Sequence, residues 1–211
     1  MSDHDDFAFD AAPGIPAPLP KGESILWQGR PAVLPLAREA WKLNWIMGYM
    51  AVIVVWKTAS GAADGGAVMA VARGLPYAML AVAALAVILF LAWAQSRATI
   101  YTITTARVLM RIGALSVTYN IPFKQIASAS VEVKRTGTGT IALQTQGDTR
   151  LAYLQMWPHA RPWHLKQTEP ALRCVPDAAI VARVLADAAE TRLSQPVVSR
   201  AQPGLGAVAA E

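Results

Sequence analysis

An apolar run over residues 75–94 reaches Gln95-Ser96-Arg97 and passes, almost without a linker, into the alternating segment Thr99-Ile100-Tyr101-Thr102-Ile103-Thr104. About 20 apolar residues at 1.5 Å rise match a hydrocarbon core roughly 30 Å thick. No charge interrupts the run between Tyr77 and Ala94, and a core helix of a soluble protein seldom stays apolar on every face for so long. The join therefore predicts a membrane helix that leads directly into a small β-domain.

A second apolar segment, residues 43–59, holds Asn44 near its start and Lys57 near its end. Lys57 can snorkel to a headgroup layer, and Trp45, Tyr49 and Trp56 suit the two interfaces. The expectation is a two-helix transmembrane hairpin over residues 41–96, with spans at about 43–59 and 75–94. Arg30, Arg38 and Lys42 precede it and Arg97, Arg107 and Arg111 follow it, whereas the connection holds Lys57, Asp64 and Arg73. The positive-inside rule then puts both termini of a multi-pass protein in the cytoplasm. Small residues over 58–66 read as a short exoplasmic turn. Residues 67–72 fit either an extension of the second helix or a surface stretch, and a third membrane segment stays open.

Composition agrees: 54% hydrophobic and only 16% charged residues, with a mean hydropathy of +0.32, are high for a soluble chain. The net charge of +5 comes without a Lys/Arg run, so a nucleic-acid face is not indicated, and anionic headgroups or an acidic partner suit it better. The acidic start Met1-Ser2-Asp3-His4-Asp5-Asp6 is not followed by an apolar stretch, so no cleavable signal peptide is expected. The single Cys174 excludes an internal disulfide and a Cys-rich zinc site.

Before the hairpin, Pro13, Pro16, Pro18 and Pro20 discourage a helix, and Ile25-Leu26-Trp27 reads as a short strand within an N-terminal segment over residues 1–40. After it, alternating runs are split by turn signals at Gly113-Ala114, Gly137-Thr138-Gly139 and Gly147-Asp148, the pattern of an antiparallel sheet with six or seven strands. Val108, Met110 and Ile112 share one strand face and Arg107 and Arg111 the other; Val117/Tyr119/Ile121, Val131/Val133, Ile141/Leu143 and Leu151/Tyr153 are further inward sets. An irregular Pro- and Trp-rich stretch runs from Trp157-Pro158 to Pro176. A helix then follows, with Ile180, Val184, Leu185 and Ala188 at helical spacing to about Leu193. The fold class expected is an α+β membrane protein: the hairpin, then a cytoplasmic antiparallel barrel or sandwich over 97–193 plugged by a C-terminal amphipathic helix. Residues 194–211 show no periodic apolar face and are expected to be disordered.

The segment Gly22-Glu23-Ser24-Ile25-Leu26-Trp27-Gln28-Gly29-Arg30-Pro31 before the hairpin, with Tyr101-Thr102-Ile103-Thr104-Thr105-Ala106-Arg107-Val108 after it, resembles the bacterial membrane-anchored PH-like family. Within that family, His4-Asp5-Asp6-Phe7, Tyr119-Asn120-Ile121-Pro122-Phe123, the block over 152–163 and Glu169-Pro170-Ala171-Leu172-Arg173 resemble the photosynthetic-complex assembly proteins of purple bacteria. The resemblance covers roughly residues 4 to 190. It implies a non-enzymatic factor that aids assembly of the photosynthetic reaction centre and its light-harvesting 1 antenna, with their subunits and membrane lipids as partners. Self-association as a homodimer stays open.

The three histidines are His4, His159 and His164, none within either span, which speaks against an intramembrane pigment ligand and for a helper rather than a pigment-carrying subunit. No cofactor is expected. His159 and His164 lack a suitable third metal ligand beyond Cys174 or Glu169. The candidate partner-binding residues are Trp157, His159, Arg161 and Trp163, because two Trp, an Arg and a His between prolines are costly to expose without a use. The bland alternative is that the tryptophans cover an open barrel end. Arg107 and Arg111 are candidate contacts for lipid phosphate or an acidic partner, or simply solvated strand residues. No phosphate loop, Gly-x-Ser-x-Gly elbow or His-Glu-x-x-His occurs, so catalysis is not expected. The other functional reading is a general membrane-anchored PH-like module that binds lipid or protein without a tie to photosynthesis.

Overall fold

Helix α2 spans Leu43–Arg97, 55 residues, and is interrupted by non-helical backbone at Gly65 and Gly66. Gly66 has φ of 67°, the left-handed region that glycine enters without steric cost. The chain reverses there. A Cβ on Gly74 would lie 2.2 Å from Thr58 Oγ1 and one on Gly61 would lie 2.4 Å from the Met69 carbonyl oxygen, while Leu43 packs with Ile88 and Ala92. On one unbroken helix Thr58 and Gly74 would stand about 24 Å apart, so the two arms lie antiparallel along their length. Their most apolar 18-residue window has a mean hydropathy of 2.5 and only 11% of it is buried, long and apolar enough to cross a bilayer.

The computed structural model describes residues 13–113, 117–146, 152–164 and 168–194. The His4–Phe7 motif, the Gly147-Asp148 reversal, Leu151 and the tail beyond Ser194 lie outside them. One expectation for the hairpin changes and one left open is resolved. The turn expected over 58–66 is only Gly65-Gly66: Ala is a strong helix former, and Thr58 Oγ1 and Ser60 Oγ donate back to the carbonyls of Val54 and Lys57 at 2.8 and 3.0 Å. Residues 67–72 extend the second arm.

Ahead of the hairpin come β1 (Ile25–Gly29) and the short helix α1 (Val33–Glu39). Behind it, β2 (Ile100–Thr104), β3 (Arg107–Ile112) and β4 (Val117–Pro122) join β1 in an antiparallel sheet of order β1-β2-β3-β4. A second antiparallel sheet, order β5-β6-β7, holds β5 (Ile126–Val133), β6 (Gly139–Thr145) and β7 (Ala171–Val175). Between β6 and β7 lies a one-turn helix α3 (Tyr153–Met156), and α4 (Ala178–Ser194) closes the domain.

One core cluster joins both sheets and α4: Ile103, Val108, Met110, Ile141, Leu143, Leu172 and Leu185 are all nearly or fully enclosed. Burying each such side chain contributes about 1.5–3 kcal/mol before entropy is counted. The inward sets Val108/Met110/Ile112 and Ile141/Leu143 are therefore core, as their alternation predicts. Val131 and Val133 are not, at 44% and 47% exposed, because β5 is a sheet edge. Tyr153 lies on α3 instead of a strand, and β7 forms inside the stretch read as irregular. The buried face of α4 is Ala178, Val181, Leu185 and Ala188, with Ile180 exposed, a rotation of the expected stripe.

Candidate functional site

Trp41, two residues before α2, meets Trp157 edge to face with ring centroids 5.0 Å apart. This contact seats residues 152–164 against the base of the hairpin. The block singled out in the sequence then divides by exposure. His159 is fully enclosed, whereas Trp163 is 89% exposed with φ of 66°, an uncommon setting for a residue with a Cβ.

His159 is the centre of a hydrogen-bonded junction. Its Nδ1 lies 2.5 Å from Tyr101 Oη, and its Nε2 lies 3.1 Å from both Thr99 Oγ1 and the Gln95 side-chain amide. The Arg173 backbone N–H donates to the same Tyr101 oxygen at 3.2 Å. The Gln95 amide nitrogen can only donate, so its contact makes Nε2 the acceptor and leaves the ring proton on Nδ1, which donates to Tyr101 Oη. Burial, aided by the nearby Arg173 charge, lowers the His159 pKa to about 3, so the ring is neutral at physiological pH. Burial likewise raises the Tyr101 pKa. His159 thus ties α2, β2 and β7 together from inside. As a direct partner contact it is ruled out by its enclosure, a correction to the sequence reading.

Arg161 Nη1 donates to Glu169 Oε2 at 2.9 Å, and its backbone N–H to the Glu169 carbonyl at 2.9 Å. These bonds, with the Ala160–Pro170 bridge, pin both limbs of the loop and leave the Arg161 side chain 42% exposed. Trp163, Arg161 and one edge of Trp157, which is 38% exposed, are the reachable members of the candidate set. His164 sits near the surface, Nδ1 2.9 Å from the Pro162 carbonyl. Cys174 is enclosed, and burial, with the Glu39 charge beside it, pushes its thiol up to about 12, which makes it a poor nucleophile and metal ligand. Among the described residues no group of three His, Cys, Asp or Glu side chains could hold a metal ion.

The two strand arginines also depart from their expected role. Arg107 donates from Nε and Nη2 to the Glu23 carboxylate at 2.8 and 2.6 Å. Arg111 is buried at 7% exposure and reaches Thr118 Oγ1 at 3.4 Å. Arg111 is enclosed, and Arg107, its side chain 25% exposed, is engaged by Glu23 instead of a lipid surface. The sequence reading overlooked Glu23 as Arg107's partner and Tyr101 and Gln95 as His159's. An acid in an otherwise apolar first strand region and a Gln at the end of an apolar helix were the available signals.

An apolar helical hairpin whose base is packed into two antiparallel sheets closed by a C-terminal helix defines a bacterial pleckstrin-homology module. The family model described as bacterial PH domain matches residues 48–189, which takes in most of the hairpin, and the chain belongs to that family. It is 49% identical over 213 aligned positions, 100% of this chain and 99% of the relative, to a Rhodobacter capsulatus protein described as an uncharacterized 23.7 kDa protein in the puhA 5′ region. No solved structure matches.

Proposed function

We propose that this protein is a non-enzymatic membrane factor for assembly of the photosynthetic reaction centre and light-harvesting 1 complex, of the kind the PuhB-type assembly proteins represent. The observation that carries the reading is full-length similarity to a protein of the puhA region, a photosynthesis gene region. The antiparallel arms of α2 cross the inner membrane as two spans with both termini in the cytoplasm. The arms and the surface around Arg161 and Trp163 hold nascent subunits, and membrane lipids bound the hairpin. The exposed arms support this: Val52, Val82 and Phe90 are each more than 60% exposed, a surface that a lipid or a partner helix would cover.

Deletion of the gene in its host, with near-infrared spectra of the membranes, tests the reading. Loss of the reaction-centre and core-antenna bands with normal dark growth is expected; intact bands with an envelope defect would favour the general lipid- or protein-binding module. A reporter fused after Glu211 should read cytoplasmic, and a periplasmic signal would overturn the two-span topology.

A further inference from the structure

The level at which the chain leaves the apolar arms is marked on both sides of the hairpin. On the first arm stand Lys42, exposed with φ of 53°, and Trp45, 80% exposed. On the second, the Arg97 guanidinium lies 5.9 Å over the Trp93 ring. Tryptophan beside a cation is the usual signature of a headgroup boundary. Trp41 is at that level, packed on the cluster of Leu43, Ile88 and Ala92, and Trp157 meets Trp41 edge to face. Leu154 lies on the single turn α3 and Trp157 caps its C-terminus three residues on, its N–H still bonded to the Tyr153 carbonyl, a spacing that puts both on one side of the turn. Leu154 is 88% exposed, and among the described residues of the domain only Trp163 is a comparably large apolar side chain as open. The Trp41–Trp157 contact therefore carries apolar surface from the hairpin base onto the domain.

Resting on the membrane reading above, we infer that α3 is an interfacial foot: Leu154 and the edge of Trp157 dip into the cytoplasmic headgroup layer, and Arg38 and Lys42, which flank Trp41 in sequence, select anionic lipid. Arg38 and Lys42 are both exposed, and positive charge next to a buried apolar edge is the combination that holds a surface to anionic headgroups. The rest of the domain stands away from the bilayer, because β2 leaves the arm and carries the β1–β3 end, with Lys21 near it, outward. The lipid contact thus lies on a turn between β6 and β7, and Arg107 and Arg111 have no part in it.

Nitroxide labels on the full chain in liposomes test this. Cys174 is enclosed and does not compete, and Leu154→Cys, Phe90→Cys and Lys21→Cys are all at exposed positions. The readout is relative accessibility to oxygen and to a water-soluble nickel chelate. Phe90→Cys is expected deep in the bilayer, and Leu154→Cys should show an oxygen-to-chelate ratio severalfold above that of Lys21→Cys. That ratio should rise further when phosphatidylglycerol is added to phosphatidylcholine, and fall back with Arg38→Gln and Lys42→Gln together. A Leu154→Cys ratio equal to that of Lys21→Cys, with Phe90→Cys still deep, overturns the foot and leaves the spans intact. A water-exposed Phe90→Cys overturns the spans and the foot with them.

Discussion

Glu23 and Arg107, 84 positions apart in sequence, are joined by two hydrogen bonds of 2.8 and 2.6 Å. Thr104 Oγ1 also donates to Glu23 Oε1 at 2.6 Å. The N-terminal segment is thereby clamped to the β2–β3 turn across the whole length of the hairpin insertion.

Burial alone would raise the Glu23 pKa, but hydrogen bonds from Arg107 and Thr104 and the Arg107 charge outweigh it and hold the carboxyl below its ordinary value of 4.5. The carboxylate's contribution is complete above about pH 4.5 and is lost as pH falls through the lowered folded value. Glu23→Gln should cost about 1–3 kcal/mol at neutral pH, seen as a lower thermal midpoint in detergent. The difference from wild type should shrink on acidification; a constant gap would mean that the charge is not what holds the clamp.

Replacing His159 by Ala leaves Tyr101, Thr99 and Gln95 facing a void, and a loss of about 2–4 kcal/mol is expected. Because the folded ring takes up a proton only near pH 3 and the unfolded one near 6.5, the unfolded state binds the extra proton between those values. Wild-type stability should fall by roughly 1.4 kcal/mol per pH unit from this group as pH drops below 6.5. Thermal midpoints of both proteins from pH 7 to 5 should show a shallower slope in His159→Ala. Parallel slopes would place the proton uptake elsewhere.

The arms meet most tightly at two glycines. A methyl at Gly61 strikes the Met69 backbone, which cannot turn away, whereas one at Gly74 strikes Thr58 Oγ1, which can rotate; Gly48 has open space. Gly61→Ala should therefore lower the detergent melting midpoint most, by the equivalent of about 1–3 kcal/mol, Gly74→Ala less, and Gly48→Ala hardly at all. Equal effects at Gly61 and Gly48 would contradict the close approach of the arms.

Trp157 and Trp163 separate by role. Trp157→Ala removes the ring packed on Trp41 and should destabilise by about 1–3 kcal/mol, whereas Trp163→Ala should stay within about 0.5 kcal/mol. If Trp163 meets a partner, its loss lowers recovery of reaction-centre subunits with the purified protein while the melting curve is unchanged. A destabilised Trp163→Ala would instead make it a packing residue.

Much of the architecture was legible because local patterns and burial agree. The alternation of Val108, Met110 and Ile112, the apolar length of the arms and the Ile25-Leu26-Trp27 strand are each written in a run of neighbouring residues. What escaped depends on long-range pairing. β7 has buried polar positions, including Arg173, that hide its alternation, and Val131 lies on an edge that no local pattern announces. His159 looked like a surface ligand because the three groups that neutralise its polarity come from residues 95–101, about 60 positions away. Arg107 read as solvated because its acid lies on the far side of the hairpin.

Arm and sheet meet without slack: α2 ends at Arg97, β2 begins at Ile100, and Ser96 Oγ donates to the Pro31 carbonyl at 2.6 Å while Gln95 reaches His159. A domain on a flexible tether samples every direction and keeps no memory of its anchor. Here the two helices form a lever fixed in its socket, so a sideways push on the arms swings the sheets through the same angle.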